Sequence, residues 1–100
     1  MGYQVVLSPS AARDLKDIVR YISFDSPERA VAFGKFLVGH TKRLADFPEM
    51  GRVVPEFGRD EIREIVVRSY RVIYRVDAGQ ERIEVIRFWH GARGVPIVVS

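Results

Sequence analysis

The sequence predicts an α+β domain: an N-terminal strand, a helical hairpin, then an antiparallel three-strand meander. Three observations predict it. A short β-branched run, Tyr3-Gln4-Val5-Val6-Leu7, opens the chain. Apolar residues then recur at helical spacing between Ala11 and Leu44, interrupted once. From Ile65 to Trp89 the period is close to two, and Asp77-Ala78-Gly79-Gln80 supplies turn chemistry in the middle.

Each element has its own signal. Ser8-Pro9 reads as an N-cap followed by proline in the first helical turn, where its missing N–H costs nothing. Ala11, Leu15, Ile18 and Ile22 then form one amphipathic face. Ser26-Pro27-Glu28 repeats the cap-then-proline signal and opens a second helix with the stripe Ala30, Phe33, Leu37, Thr41 and Leu44. Asp46-Phe47-Pro48 ends it. The segment 48–60 is expected to be an ordered loop, because Met50, Val53 and Val54 need somewhere to bury. Three strand-like runs follow: Arg63 to Arg68, Tyr70 to Val76 and Ile83 to Trp89. The helices are expected to pack on one side of an antiparallel sheet of about four strands. On the middle run Tyr70, Val72, Tyr74 and Val76 face the helices, leaving Arg71, Ile73 and Arg75 on an open face. The last run has mixed composition on both parities, so pattern assigns neither of its faces.

One hundred residues suit a single domain, residues 1–100. With no cysteine, disulfides and thiolate metal sites are excluded, and the two histidines have no zinc spacing. No metal or cofactor is implied. Neither a signal-peptide pattern nor a run of about 20 apolar residues is present, so a soluble, cytoplasmic protein without membrane contact is expected. The net charge of +3 favours anionic partners. Lysine occurs only at positions 16, 35 and 42; from Arg43 onward every Lys/Arg cation is arginine. The arginine fork grips carboxylates and phosphates at two points and keeps its charge near neutral pH. Arg63, Arg68, Arg75 and Arg87, with Trp89, are therefore candidate binding residues.

Three segments, in order, resemble the RelE/ParE superfamily of toxins. They are Leu44-Ala45-Asp46-Phe47-Pro48-Glu49-Met50-Gly51-Arg52, then Ile62-Arg63-Glu64-Ile65 leading to Tyr70-Arg71-Val72-Ile73-Tyr74-Arg75, then Ile86-Arg87-Phe88-Trp89-His90-Gly91-Ala92-Arg93. The resemblance implies two helices against a small sheet. It also implies a toxin encoded beside a cognate protein antitoxin that neutralises it. Two targets are implied within the superfamily: DNA gyrase, for the ParE branch that shares the His-Gly-Ala-Arg ending, or the ribosome with its messenger RNA, which RelE-like members cleave.

For the second activity the resemblance puts Arg71 and Arg93 on phosphate and His90 in the role of general base, the catalytic set if the chain is a ribonuclease. Cleavage by the 2′-hydroxyl route needs a base, an acid and cations around the phosphorane. The strand before Tyr70 carries Arg63, Glu64 and Arg68 but none of the lysines found in some ribonuclease members, and no tyrosine follows Tyr74. Proton transfer would rest on His90, and the sequence leans to gyrase binding. The apolar Val53, Val54 and the Val95–Val99 tail, beside the arginines, are the expected antitoxin surface.

Overall fold

The computed structural model describes residues 2–98. Val99, the end of the expected antitoxin surface, lies outside the described residues. The element order is β1 (Gln4–Leu7), α1 (Pro9–Ser23), α2 (Pro27–Lys42), β2 (Arg52–Val53), β3 (Ile62–Val67), β4 (Tyr70–Asp77) and β5 (Arg82–His90). Single 3-10 turns follow α2 (Arg43–Ala45) and β5 (Gly91–Arg93).

The strands form one sheet in the order β1-β5-β4-β3-β2. The meander β3-β4-β5 is antiparallel as expected. Two details correct the sequence reading. The sheet is mixed, because β1 runs parallel to β5 after the crossover through both helices. It also gains a fifth strand, the two-residue β2, from the segment read as loop.

Both helices start where the sequence placed them. The Ser8 Oγ accepts from the Ala11 N–H at 3.0 Å, and the Ser26 Oγ accepts from Arg29 at 3.2 Å. Ser8 does more than cap: its hydroxyl donates to the Ile86 carbonyl at 2.9 Å, and its N–H donates to the Val85 carbonyl at 2.8 Å. One serine therefore closes the β1–α1 corner onto β5. α1 buries Ala11 and Ile18, and α2 buries Leu37, against Val67, Val72, Val85 and Phe88 of the sheet. The helices approach closely at Gly34, where a Cβ would lie 3.0 Å from Val19.

The other face of the sheet is not open. Val54, Ile62, Ile73, Ile86 and Trp89 form a second apolar cluster there, with Phe57 and Val98 packed on it. A β-bulge on β5 explains why its parity was unreadable. Ile73 pairs with Arg87 but Tyr74 pairs with Val85, so Ile86 is the extra residue. Val85 and Phe88, three apart, consequently both reach the helix-side core, while Ile86 and Trp89 both reach the second cluster.

Segment 48–60 is ordered, as its apolar residues required. The Tyr74 hydroxyl, at the end of a fully buried side chain, donates to the Pro48 carbonyl at 2.8 Å and accepts from the Gly51 N–H at 3.0 Å. Gly51 is obligatory in this turn, since a Cβ there would stand 2.4 Å from the Glu64 carbonyl oxygen. Val54 is fully buried, whereas Met50 is left exposed.

The double role of Ser8 gives a first prediction. Ser8→Ala removes the cap and a buried hydrogen bond together, and should cost about 1–2 kcal/mol in urea denaturation. Ser8→Asp restores the cap but sets an acceptor against the Ile86 carbonyl, so it should recover little. Wild-type stability in both variants would show that the corner does not depend on this hydroxyl.

Candidate functional site

The outer face of the sheet, away from the helices, carries most of the candidate residues. Its centre is Glu64 on β3, whose carboxylate has no exposed surface. A buried charge is tolerated only when it is paired and hydrogen-bonded. Arg71 on β4 donates its Nε to one carboxylate oxygen at 2.5 Å, and Arg52 on β2 donates its Nε to the other at 2.7 Å. Arg71 then reaches out of the sheet, and its two terminal nitrogens each meet a Glu56 oxygen at 2.8 Å. The chain Arg52–Glu64–Arg71–Glu56 holds two cations and two anions, so its formal charge is zero.

The ionisation equilibria follow from that geometry. Hydrogen bonding to Arg71, reinforced by a backbone hydrogen bond, lowers the Glu56 carboxyl to about 2. The hydrogen bonds to Glu56 and then Glu64 push the Arg71 guanidinium further up from its already high range. Arg71 is therefore a permanent cation with a fork already filled by two carboxylates, not a free cation on an open face as the alternation suggested.

The remaining arginines are spread over the molecule. Arg63 donates to the Gly51 carbonyl at 2.9 Å and helps hold the loop. Arg68 sits in the β3–β4 turn at φ 57°, with its guanidinium 4.9 Å from the Phe36 ring centre on the helix side. Arg75 pairs with Glu84 at 2.9 Å and remains half-exposed. Arg87 is gripped bidentately by Asp14 of α1, at 2.7 and 2.8 Å, and also donates to the Ile97 carbonyl. Asp14 additionally accepts the Phe88 N–H at 3.1 Å. It thereby completes the stretch of β5 edge that the short β1 leaves unpaired.

At the end of β5, Trp89 is buried and donates its Nε1–H to the Gly94 carbonyl at 3.1 Å. Two guanidinium groups lie over its ring, Arg93 at 3.9 Å and Arg87 at 4.9 Å. His90 points the other way. Its ring meets Tyr70 edge-on at 5.1 Å on the helix side, and its Nδ1 accepts the Ala92 N–H at 3.1 Å. That bond assigns the ring proton of the neutral form to Nε2.

Arg71 and Arg93 thus both border Trp89, Arg71 as its partner in the β4–β5 ladder. His90 lies across the sheet from them. Sequence reasoning missed Glu56, Glu64, Arg52 and Asp14, the acceptors and co-donor that determine what the arginines do. A glutamate in the middle of a strand was the available signal, but its partners depend on register.

This architecture is that of the RelE/ParE toxins. A model of the ParE toxin of the parDE type II toxin–antitoxin system matches residues 5–95, and the chain belongs to that family. Among solved structures, it is similar to the chromosomal ParDE toxin–antitoxin system of P. aeruginosa. That match has a TM-score of 0.72 and 21% identity over 88% of this chain and 95% of that one. It is also similar to the toxin–antitoxin complex RelBE2 of Mycobacterium tuberculosis, with a TM-score of 0.61 and 22% identity over 90% and 99% of the two chains. No curated protein matches the chain. No helix of the described residues is long and apolar enough to cross a membrane.

The lowered Glu56 carboxyl sets an acid response. Because its folded value lies below the ordinary one, its contribution to stability is present in full above the usual glutamate range. It is lost as pH falls through that range toward 2. Glu56→Gln should therefore remove part of the parent's stability at neutral pH and flatten its fall in acid. Chemical denaturation at a series of pH values checks this; parallel profiles for parent and variant would contradict it.

Proposed function

We propose that this chain is a cytoplasmic toxin, neutralised by a cognate protein antitoxin, that acts by binding DNA gyrase rather than by cutting RNA. The family membership and the two solved toxin–antitoxin relatives support the antitoxin. One observation supports a binder over a nuclease: the phosphate-type arginine and the candidate base do not converge. Arg71 is occupied by Glu56 and Glu64, and His90 sits on the opposite face with Nδ1 engaged.

The chemistry explains why this matters. A ribonuclease needs a free cation at the phosphate and a base and acid within hydrogen-bond reach of it. Arginine cannot release a proton at neutral pH, so neither Arg71 nor Arg93 can serve as the acid. An inhibitor of gyrase needs only a surface of the right shape and charge. Arg93 and the exposed residues after β5 provide one beside Trp89, and toxicity is expected to depend on this C-terminal region.

The His90→Gln variant separates the two activities, because it keeps a polar side chain and abolishes titration. The measurements are supercoiling by purified gyrase and RNA cleavage on programmed ribosomes, each with parent and variant. The expected outcome is inhibition of supercoiling by both proteins and no ribosomal cleavage by either. Cleavage by the parent that falls roughly 10²–10⁴-fold in His90→Gln would instead make His90 a general base and the chain a ribonuclease.

A further inference from the structure

We propose that the open cavity between the first turn of α1 and the outer face of the sheet seats an acidic, aliphatic segment of the antitoxin. The inference rests on the toxin–antitoxin reading above and adds to it a location and a recognition chemistry. The cavity has a volume of about 470 Å³. Arg13 enters it from α1, Arg59 from the loop before β3 and Arg75 from β4, over a floor that includes Ile62, Ile86 and Val98. Three guanidinium groups thus come from parts of the chain far apart in sequence, and among the described residues the one carboxylate in the lining is Glu84.

These cations are available to a partner. Arg59 pairs with Glu61 and Arg75 with Glu84, both near the surface, where such pairs are weak and readily exchanged for a partner's carboxylates. Arg13 has no carboxylate partner among the described residues; its guanidinium donates to the Ser10 Oγ at 3.2 Å. The positive end of the α1 dipole opens on the same cavity through Pro9 and Ser10.

The lining also selects the kind of anion. Among the described residues it offers aliphatic side chains and no aromatic ring on which a base could stack. Glu84 would repel a run of phosphates but tolerates a single carboxylate aimed at Arg13. Glutamate or aspartate beside a leucine-type residue fits both halves of the cavity, charge to charge and floor to side chain. The segment would seat four residues along β4 from Arg71, without disturbing the ion-pair chain.

The test uses the full chain and the protein encoded by the adjoining reading frame, with affinity measured by calorimetry at low and high salt. Arg13→Glu should weaken binding roughly tenfold to a hundredfold, Arg13→Gln less, and both penalties should shrink in high salt. Lys42→Glu, which alters charge away from the cavity, should leave affinity unchanged. Arg13 is exposed and its side chain makes one hydrogen bond among the described residues, to Ser10, so a thermal melt should show the variants folded. The proposal is overturned if Arg13→Glu combined with Arg59→Gln binds as tightly as the parent; the toxin–antitoxin reading then survives without it. A parent chain that fails to bind the adjoining protein at all overturns both. Variants that keep antitoxin affinity but lose a single-stranded RNA oligonucleotide would assign the cavity to nucleic acid and overturn the proposal as well.

Discussion

Glu64 carries a full charge in the middle of a sheet, with its carboxylate shut off from water, and that charge has to be answered from both neighbouring strands. Arg71 answers from β4 and Arg52 from β2. Slipping β3 by one residue would turn Glu64 toward the helix-side core and strand both guanidiniums, so the ion pairs discriminate strongly against that register. The short β2 is tied to the sheet by the same contact, and Glu56 extends the chain of charges into the segment that follows it. Tyr74 and Gly51 then fix the preceding turn from the other side of the sheet. The second apolar cluster, which includes Val54 and Phe57 of this segment, lies on the same face of the sheet.

That arrangement decides what the arginine-rich half of the chain is for. An arginine whose fork already holds two carboxylates is a tie between elements, and a phosphate would have to displace Glu56 to reach it. Arg87 is committed in a similar way by Asp14, which joins α1 to β5 and closes the gap left by a four-residue β1. Cations left for partners include Arg93 over Trp89 at one end of the outer face, and Arg13, Arg59 and Arg75 around the cavity at the other.

Much of the fold was legible because its signals are local. Ser8-Pro9 and Ser26-Pro27 announce helix starts through capping that needs only a few neighbouring residues, and the alternation from Tyr70 to Val76 follows from the pleat. The parallel pairing of β1 was not legible, since strand direction in the sheet depends on where a two-helix crossover returns the chain. The faces of β5 were hidden by the bulge at Ile86, which inverts parity midway. The candidate arginines could be named but their roles could not. Arg71 meets Glu64 and Glu56 at separations of 7 and 15 residues, distances that only the strand register defines. Arg13 stood outside the arginine-rich half, so composition directed attention away from it.

A double-mutant cycle on Arg71 and Glu64, read by denaturant unfolding, tests most directly whether Arg71 is a structural tie. If it is, Arg71→Met and Glu64→Gln each destabilise by about 1.5–3 kcal/mol, because each removes a charge-assisted hydrogen bond at a buried carboxylate site and leaves Glu64 to Arg52 alone, or Arg71 to Glu56 alone. The double variant should then cost at least about 1 kcal/mol less than the sum of the two. Additivity within about 0.5 kcal/mol, or a cost for Arg71→Met no larger than the roughly 0.5 kcal/mol typical of a solvated surface residue, would contradict the account and return Arg71 to the pool of free cations.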